Sequence, residues 1–387
     1  MIAYNHEWLN NLLVREQADQ AHETNCISKE EKERVYMTYP SGFYTPNIFV
    51  RIGLFILTTV IVIFTIGLCS LLFLSSGNEK IFGGLFIFFG FLIYGGLELM
   101  VKNNHYKSGV DDALMWMAAG CMIGGLNAVA NISSQSNAII IFIIAGWLFL
   151  RFANAVMAAI ASLALLAIIF FSVIKLGAVA KAVTPFVVMV ASAFIYFFVQ
   201  QQLPTKRNKQ YANGLLLISI TALVCLYAAG NYYVVREASI AMFNLKLNEG
   251  ESIPLGWLFW VFTITIPIIY MIRGVQKKDA VLLRVGLILV AAVVFTVRYY
   301  YHFIPAETAM VTGGIVLIVI AYALIKYLQE PKYGFTYKEQ DEPFFMDKLQ
   351  VESLLIAQTF SAPNLPADTG TQFGGGTGEG GGASGEF

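Results

Sequence analysis

The sequence predicts an all-α, polytopic membrane protein with about ten transmembrane helices. Three observations support this prediction: the composition, the long apolar runs and the placement of charged residues. Only 13% of the 387 residues are charged, whereas a soluble domain has about 25%. The run Gly53–Leu74 carries no charge and can cross a bilayer, which takes about 20 apolar residues. Because the net charge is zero, no basic surface suggests a nucleic-acid partner.

Residues 1–47 are predicted to form a cytoplasmic helical segment. Trp8, Leu9, Leu12 and Leu13 fall at helical spacing. The stretch Ser28–Glu31 is a capping box that starts a second helix, which ends before Pro40. The segment is too small for a core of its own, so we expect a helical hairpin near the membrane face.

Residues 48–327 are predicted to form the transmembrane domain. The turn between the fourth and fifth apolar runs is the least obvious, because only Arg151–Asn154 separates them. A single helix over both runs would be about twice the length that a bilayer accepts, so we expect a tight turn. The predicted spans are 52–74, 81–101, 112–131, 136–150, 154–174, 182–200, 211–233, 255–272, 280–300 and 306–326.

The basic residues favour one orientation. With ten spans, most of the 25 Lys and Arg residues fall on the side of the N-terminus, and such an excess marks the cytoplasmic side. We therefore expect both termini in the cytoplasm. The longest loop on the other side, about 234–254, is predicted as a plain connector or a short surface helix.

The chain beyond the spans divides into two parts. Residues 328–360 are predicted as a cytoplasmic tail in which Phe344–Phe360 is a candidate interfacial helix. Residues 361–387 end in a glycine-rich tract, which we expect to be disordered because ordering glycine costs the most entropy. This tail is a candidate site for a protein partner.

Ionisable groups inside spans mark function or a structural pair. Glu98 and Arg284 both lie a few residues inside the same side of the membrane. The sequence therefore suggests an ion pair between them. The alternative is that each side chain extends separately to the interface.

The densest polar cluster precedes the third span. It contains His105, Asp111 and Asp112 close to Glu98. The two aspartates suit helix N-caps, where carboxylates meet the positive end of the helix dipole. The cluster is either a capped, solvated loop or a site for acid–base or metal chemistry.

Other residues suggest helix packing and helix distortion. Gly124 and Asn127 are of the types that let helices approach closely and hydrogen-bond to each other. Pro185 and Pro267 are candidates for kinks inside spans. The four cysteines show no CxxC spacing, and we identify no catalytic motif, no metal site and no cofactor motif.

Three stretches in the first third of the chain and the C-terminal tail resemble known sequences. The stretches CISKEEKERVYMTYP, NIFVRIGLFILTTVIVIFTIGL and KSGVDDALMWM resemble a family of bacterial predicted multi-pass membrane proteins of unknown function. The tail FGGGTGEGGGASGEF is similar to glycine-rich ends of various bacterial membrane proteins. The resemblance implies location in the bacterial inner membrane and supplies no catalytic residues.

These observations favour a non-enzymatic membrane protein. It would act as an envelope scaffold or in the passage of small or lipid-like molecules, with membrane lipids as partners. The scarcity of charge inside the spans argues against an ion-coupled pump. The alternative is a membrane-embedded enzyme with an inner-face site at Glu98, His105, Asp111 and Asp112.

Overall fold

A computed structural model describes most of the chain up to residue 300. All described residues belong to one compact unit, Met1–Glu339. The predicted tenth span, 306–326, is described at isolated positions only, and the predicted tails 328–360 and 361–387 lie outside the described residues. The continuous described ranges are 2–23, 25–71, 79–130, 132–203, 205–243 and 252–300.

The described residues confirm an all-α polytopic membrane protein. Nine of their helices are long and apolar enough to cross a membrane. These are α3 (Ile48–Leu71), α4 (Glu79–Lys102), α5 (Val110–Val129), α6 (Ser134–Phe152), α7 (Ala155–Ile174), α8 (Ala178–Gln202), α9 (Ala212–Gly230), α11 (Gly256–Lys277) and α12 (Ala280–Tyr300). Three further helices are α1 (His6–Glu23), α2 (Lys29–Thr38) and α10 (Tyr232–Phe243), and a short 3₁₀ helix covers Lys206–Tyr211.

The tight turn between the fourth and fifth spans is confirmed. Ala153 ends α6 in the left-handed conformation, with φ of 52°. The Asn154 side chain then accepts hydrogen bonds from the backbone N–H groups of Val156 and Met157, at 3.0 and 3.2 Å. This cap satisfies donors that a helix start leaves unpaired, so α7 begins at once.

The predicted N-terminal hairpin is present. Ser28 Oγ accepts from the Glu31 N–H at 3.2 Å, and Glu31 Oε2 accepts from the Ser28 N–H at 2.8 Å. These two bonds complete the capping box of α2 and lower the pKa of Glu31 below its ordinary value. Asp19 of α1 accepts a hydrogen bond from Tyr36 and pairs with Lys32 of α2 at 2.7 Å.

The N-terminal segment packs against one end of the bundle. The Ala3 N–H donates to the carbonyl of Arg151 at 2.9 Å. The Tyr4 ring is buried and meets Tyr106 edge-on at 4.9 Å and Phe152 at 6.3 Å. Burial, followed by the charge of Asp111, raises the pKa of Tyr4 well above its usual value. We call this end of the bundle the N-terminal end and the opposite one the far end.

The helices α4 and α5 pack closely through glycine. A Cβ on Gly125 would lie 2.7 Å from the Gly83 carbonyl oxygen, whereas a Cβ on Gly124 would meet nothing within 4 Å. The prediction that Gly124 mediates packing is therefore wrong, because neighbouring helical positions are about 100° apart and only one can face α4. Asn127 does bond between helices, donating to Asn137 Oδ1 of α6 at 2.9 Å.

The bundle has two halves, and α7 packs against both of them. The first half contains α3 to α6 and the second contains α8 to α12. Pro185 and Pro267 lie inside α8 and α11, and both helices continue through their proline. A proline inside a membrane helix is tolerated where neighbouring helices satisfy the backbone groups that it leaves unpaired. Pro267 packs against Gly286 of α12.

The predicted far-end loop begins with a helix. The sequence predicts a plain connector or a short surface helix over about 234–254, and α10 covers the first part of this interval, to Phe243. Val235 of α10 is buried together with Tyr232. The helix forms because its buried face packs against α9 and α11, a contact that hydropathy along the chain does not reveal.

Candidate functional site

Glu98 is paired with Arg151 of α6, not with Arg284. Arg151 Nε donates to Glu98 Oε1 at 2.9 Å, and its Nη2 donates to Oε2 at 2.9 Å. Tyr94 also donates to Glu98 Oε1 at 2.8 Å. Both α4 and α6 end at the N-terminal end within the first half, whereas Arg284 belongs to α12 of the second half. Two-point pairing of arginine with a carboxylate fixes geometry as well as charge.

We expect the partner of Glu98 to be identified by a charge swap. The variants Glu98→Arg and Arg151→Glu should each lower the free energy of unfolding by about 1–2 kcal/mol. This range is reduced for screening because both side chains are about one-third exposed. The double variant should regain most of the loss in thermal unfolding in detergent.

The matched control is Glu98→Arg combined with Arg284→Glu. This pair should show no recovery, since Arg284 lies in the other half of the bundle. Recovery with Arg284→Glu but not with Arg151→Glu would contradict the pairing seen in the structure.

Asp111 organises the loop that precedes α5. Its carboxylate accepts from the backbone N–H groups of Lys107, Ser108 and Gly109 at 2.7, 2.8 and 3.1 Å. It also accepts from the Ser108 hydroxyl at 3.0 Å. The expectation of an N-cap is wrong, because Gly109 occupies that position and Asp111 lies in the first turn. Asp111 therefore accepts hydrogen bonds from backbone donors of the loop and not from those of the helix.

Asp112 joins three helices at the same end. It accepts from Arg51 Nε of α3 at 3.0 Å and from Asn154 Nδ2, the cap of α7, at 3.4 Å. It therefore lies in the first turn of α5 as an ion-pair partner and not as an N-cap. His105 Nδ1 lies 3.2 Å from Ser108 Oγ, which in turn donates to Asp111. Sequence reasoning did not assign Arg51 or Asn154, although both stand at the start of a helix.

The polar cluster has the bonding pattern of a structural site. Glu98, Asp111 and Asp112 are each directed to their own protein donors. Among the residues that the structure describes, no group of three His, Cys, Asp or Glu side chains could hold a metal ion. The arrangement therefore ties together α3, α4, α5, α6 and the start of α7.

A cavity of about 260 Å³ lies between α7 and the second half of the bundle. It is formed where α7 meets α8, α9 and α10. Of the residues singled out in the sequence, Pro185 lines it, while Asn127 and Pro267 do not. The lining residues are Leu166, Ala167, Phe170, Thr184, Pro185, Val188, Cys225, Ala228, Ala229, Val234, Val235, Ala238 and Ser239.

The lining of this cavity is apolar. Thr184, Cys225 and Ser239 are the lining residues with polar side-chain atoms, and no lining residue is charged. The Ser239 hydroxyl already donates to the Val235 carbonyl of its own helix at 2.6 Å. Because burial of apolar surface against an apolar lining is favourable, the lining suits an apolar ligand.

No known protein family, curated protein or solved structure matches the chain. Its function is therefore inferred from the residues and contacts described above.

Proposed function

We propose that this membrane protein binds lipid-like molecules within the bilayer and takes part in their passage. The observation that supports this is the apolar cavity between α7, α8, α9 and α10. A hydrocarbon chain that leaves the bilayer for this cavity exchanges one apolar environment for another. Shape and packing would then select the ligand, as they do between helices in a membrane.

The size of the cavity supports a part of a lipid rather than a whole one. An engineered cavity of about 150 Å³ lined by apolar residues binds benzene, and drug-sized ligands occupy roughly 300–1,000 Å³. A volume of about 260 Å³ lies between these cases. It suits the end of an acyl or similar chain whose remaining part stays outside.

The lining argues against an ionic cargo. A charged group would be costly in a membrane cavity without a partner of opposite charge, and no lining residue is charged. The resemblance in the N-terminal sequence supports placing this function in a bacterial inner membrane, and the distribution of basic residues supports cytoplasmic termini. A scaffold role through the glycine-rich tail stays a prediction, because that tail lies outside the described residues.

A cavity-filling variant tests the proposal. Ala229→Phe on α9 places a ring in the cavity, whereas Val224→Phe enlarges an exposed residue of the same helix. Protein purified from its membrane in mild detergent would be analysed by native mass spectrometry for retained lipids. We expect the unsubstituted protein and Val224→Phe to retain a lipid that Ala229→Phe loses by about tenfold or more, since overfilling a packed site costs about 1–3 kcal/mol.

The melting temperature of each variant shows whether it is folded. Val188→Phe fills the cavity from α8 and replaces Ala229→Phe if the latter unfolds. Equal lipid retention by the cavity variants and Val224→Phe would contradict lipid binding in the cavity.

A further inference from the structure

The helices α9 and α10 are separated by a break at one buried asparagine. Gly230 ends α9, and Asn231 follows in an extended conformation, with φ of −79° and ψ of 127°. The Asn231 side chain is 1% exposed. A buried amide inside an apolar bundle is retained only where its donors and acceptor find partners.

The Asn231 amide connects three helices. Its Nδ2 donates to the hydroxyl of Tyr227 on α9 at 2.8 Å and to Thr296 Oγ1 on α12 at 3.0 Å. Its Oδ1 accepts from the Val234 N–H in the first turn of α10 at 3.2 Å. The amide thus accepts from a backbone donor in the first turn of α10 and connects this turn to α12.

A second buried hydroxyl holds the same point. Thr263 Oγ1 of α11 accepts from the Tyr232 N–H, the first of α10, at 3.0 Å. The Tyr232 ring stacks on Trp260 of α11 with centroids 4.9 Å apart and meets Tyr300 of α12 edge-on at 5.1 Å. The beginning of α10 is therefore fixed against α11 and α12 as well as α9.

The break stands where two walls of the cavity meet. Cys225, Ala228 and Ala229 line the cavity from α9, and Val234, Val235, Ala238 and Ser239 line it from α10. Asn231 lies between these two sets in the chain and does not line the cavity itself. The angle at Asn231 therefore sets the distance between the walls.

We propose that Asn231 is a positioning residue that holds α10 in place as one wall of the cavity, and that its hydrogen bond to Thr296 stabilises this arrangement. The consequence for ligand entry rests on the proposed function, but the positioning role does not. Loss of the Thr296 hydroxyl removes one of the ties between the start of α10 and α12, while the Tyr232–Tyr300 contact and the cavity lining stay unchanged. α10 should then move away from the other walls more often, which exposes the cavity further.

Access to the cavity can be measured at Cys225. The variants Cys26→Ser, Cys69→Ala and Cys121→Ala leave Cys225 as the one thiol. The rate of its reaction with N-ethylmaleimide, followed by intact mass in nanodiscs, reports how often reagent and water reach the cavity. We expect Thr296→Val to raise this rate by about tenfold, the factor that corresponds to one lost buried hydrogen bond.

Thr296→Ser is the conservative control, because it keeps the hydroxyl that Asn231 uses. Its rate should stay within about twofold of the parent, since the bond is retained. Tyr227→Phe removes another partner of the Asn231 amide and serves if Thr296→Val fails to fold. Equal rates for Thr296→Val and Thr296→Ser would overturn the proposal.

General loosening of the bundle is measured separately. In a background that retains only Cys121, the buried thiol of α5 in the first half, Thr296→Val should leave the labelling rate unchanged. A parallel rise at Cys121 would show global destabilisation and overturn the positioning role. No bound lipid enters this measurement, so failure of the lipid-retention experiment and failure of this one are distinguishable.

Discussion

Replacing Asp111 with alanine is expected to destabilise the protein by about 3–5 kcal/mol, because hydrogen bonds to a charged group contribute about 1.5–3 kcal/mol each. Asp111 is 2% exposed, and its carboxylate accepts from three successive backbone N–H groups and one hydroxyl. Alanine would leave the buried N–H groups of Ser108 and Gly109 unpaired. The loop would then have to open to water, and the start of α5 would lose its place beside α3.

Asp111→Asn removes the negative charge of the side chain and keeps its shape. The amide oxygen can still accept from Ser108 and Gly109, but the amide nitrogen would face the Lys107 N–H, which is also a donor. We expect this variant to lose about half as much stability as alanine, as neutral hydrogen bonds are roughly half as strong. Thermal unfolding in detergent measures the loss of stability in Asp111→Ala and in Asp111→Asn. A melting temperature for Asp111→Ala equal to that of the unsubstituted protein would contradict this account.

Gly109→Ala is expected to destabilise the protein by about 4 kcal/mol, from about 1–3 kcal/mol of backbone strain and a similar amount of overpacking. Gly109 has φ of 92°, which L side chains rarely adopt. A Cβ there would lie 2.1 Å from the carbonyl oxygen of Arg51. That oxygen belongs to the backbone of α3, so no side-chain rotation relieves the contact.

Gly177→Ala is the matched control for this effect. Gly177 has a similar φ of 98°, but a Cβ would meet nothing within 4 Å. It should therefore show the backbone strain alone, about 1–3 kcal/mol. Similar melting temperatures for the two variants would mean that the close approach of α3 to Gly109 does not limit stability.

The two predictions concern the placement of α3. Most of this helix is exposed in the bundle, and Ile66 is its one buried residue among those described. Because Gly109 has no side chain, the backbone of α3 can approach the loop before α5. Arg51 of α3 then pairs with Asp112 at the same point. The loop before α5 therefore fixes a helix that makes few other contacts with the part of the chain that the structure describes.

Features set by nearby residues were predictable from the sequence. The apolar runs determined the spanning helices, because hydropathy over about 20 residues decides whether a helix can cross a bilayer. The capping box at Ser28 was predictable for a similar reason, since a cap uses donors within three residues of itself. The tight turn at 151–154 followed from the limit on the length of a spanning helix, whereas the cap at Asn154 was not predicted. The sequence also identified Asn127 as a residue that bonds between helices.

Features that join distant residues were decided by the tertiary structure. Glu98 had several basic residues available at the same depth, and the packing of α4 beside α6 selected Arg151. Gly124 and Gly125 are equivalent in sequence, and the rotation of α5 brought only Gly125 against α4. The cavity has the same origin, because its walls come from four helices and no short segment encodes its volume. Hydropathy and capping act along the chain, whereas the choice of partners depends on which helix ends become neighbours.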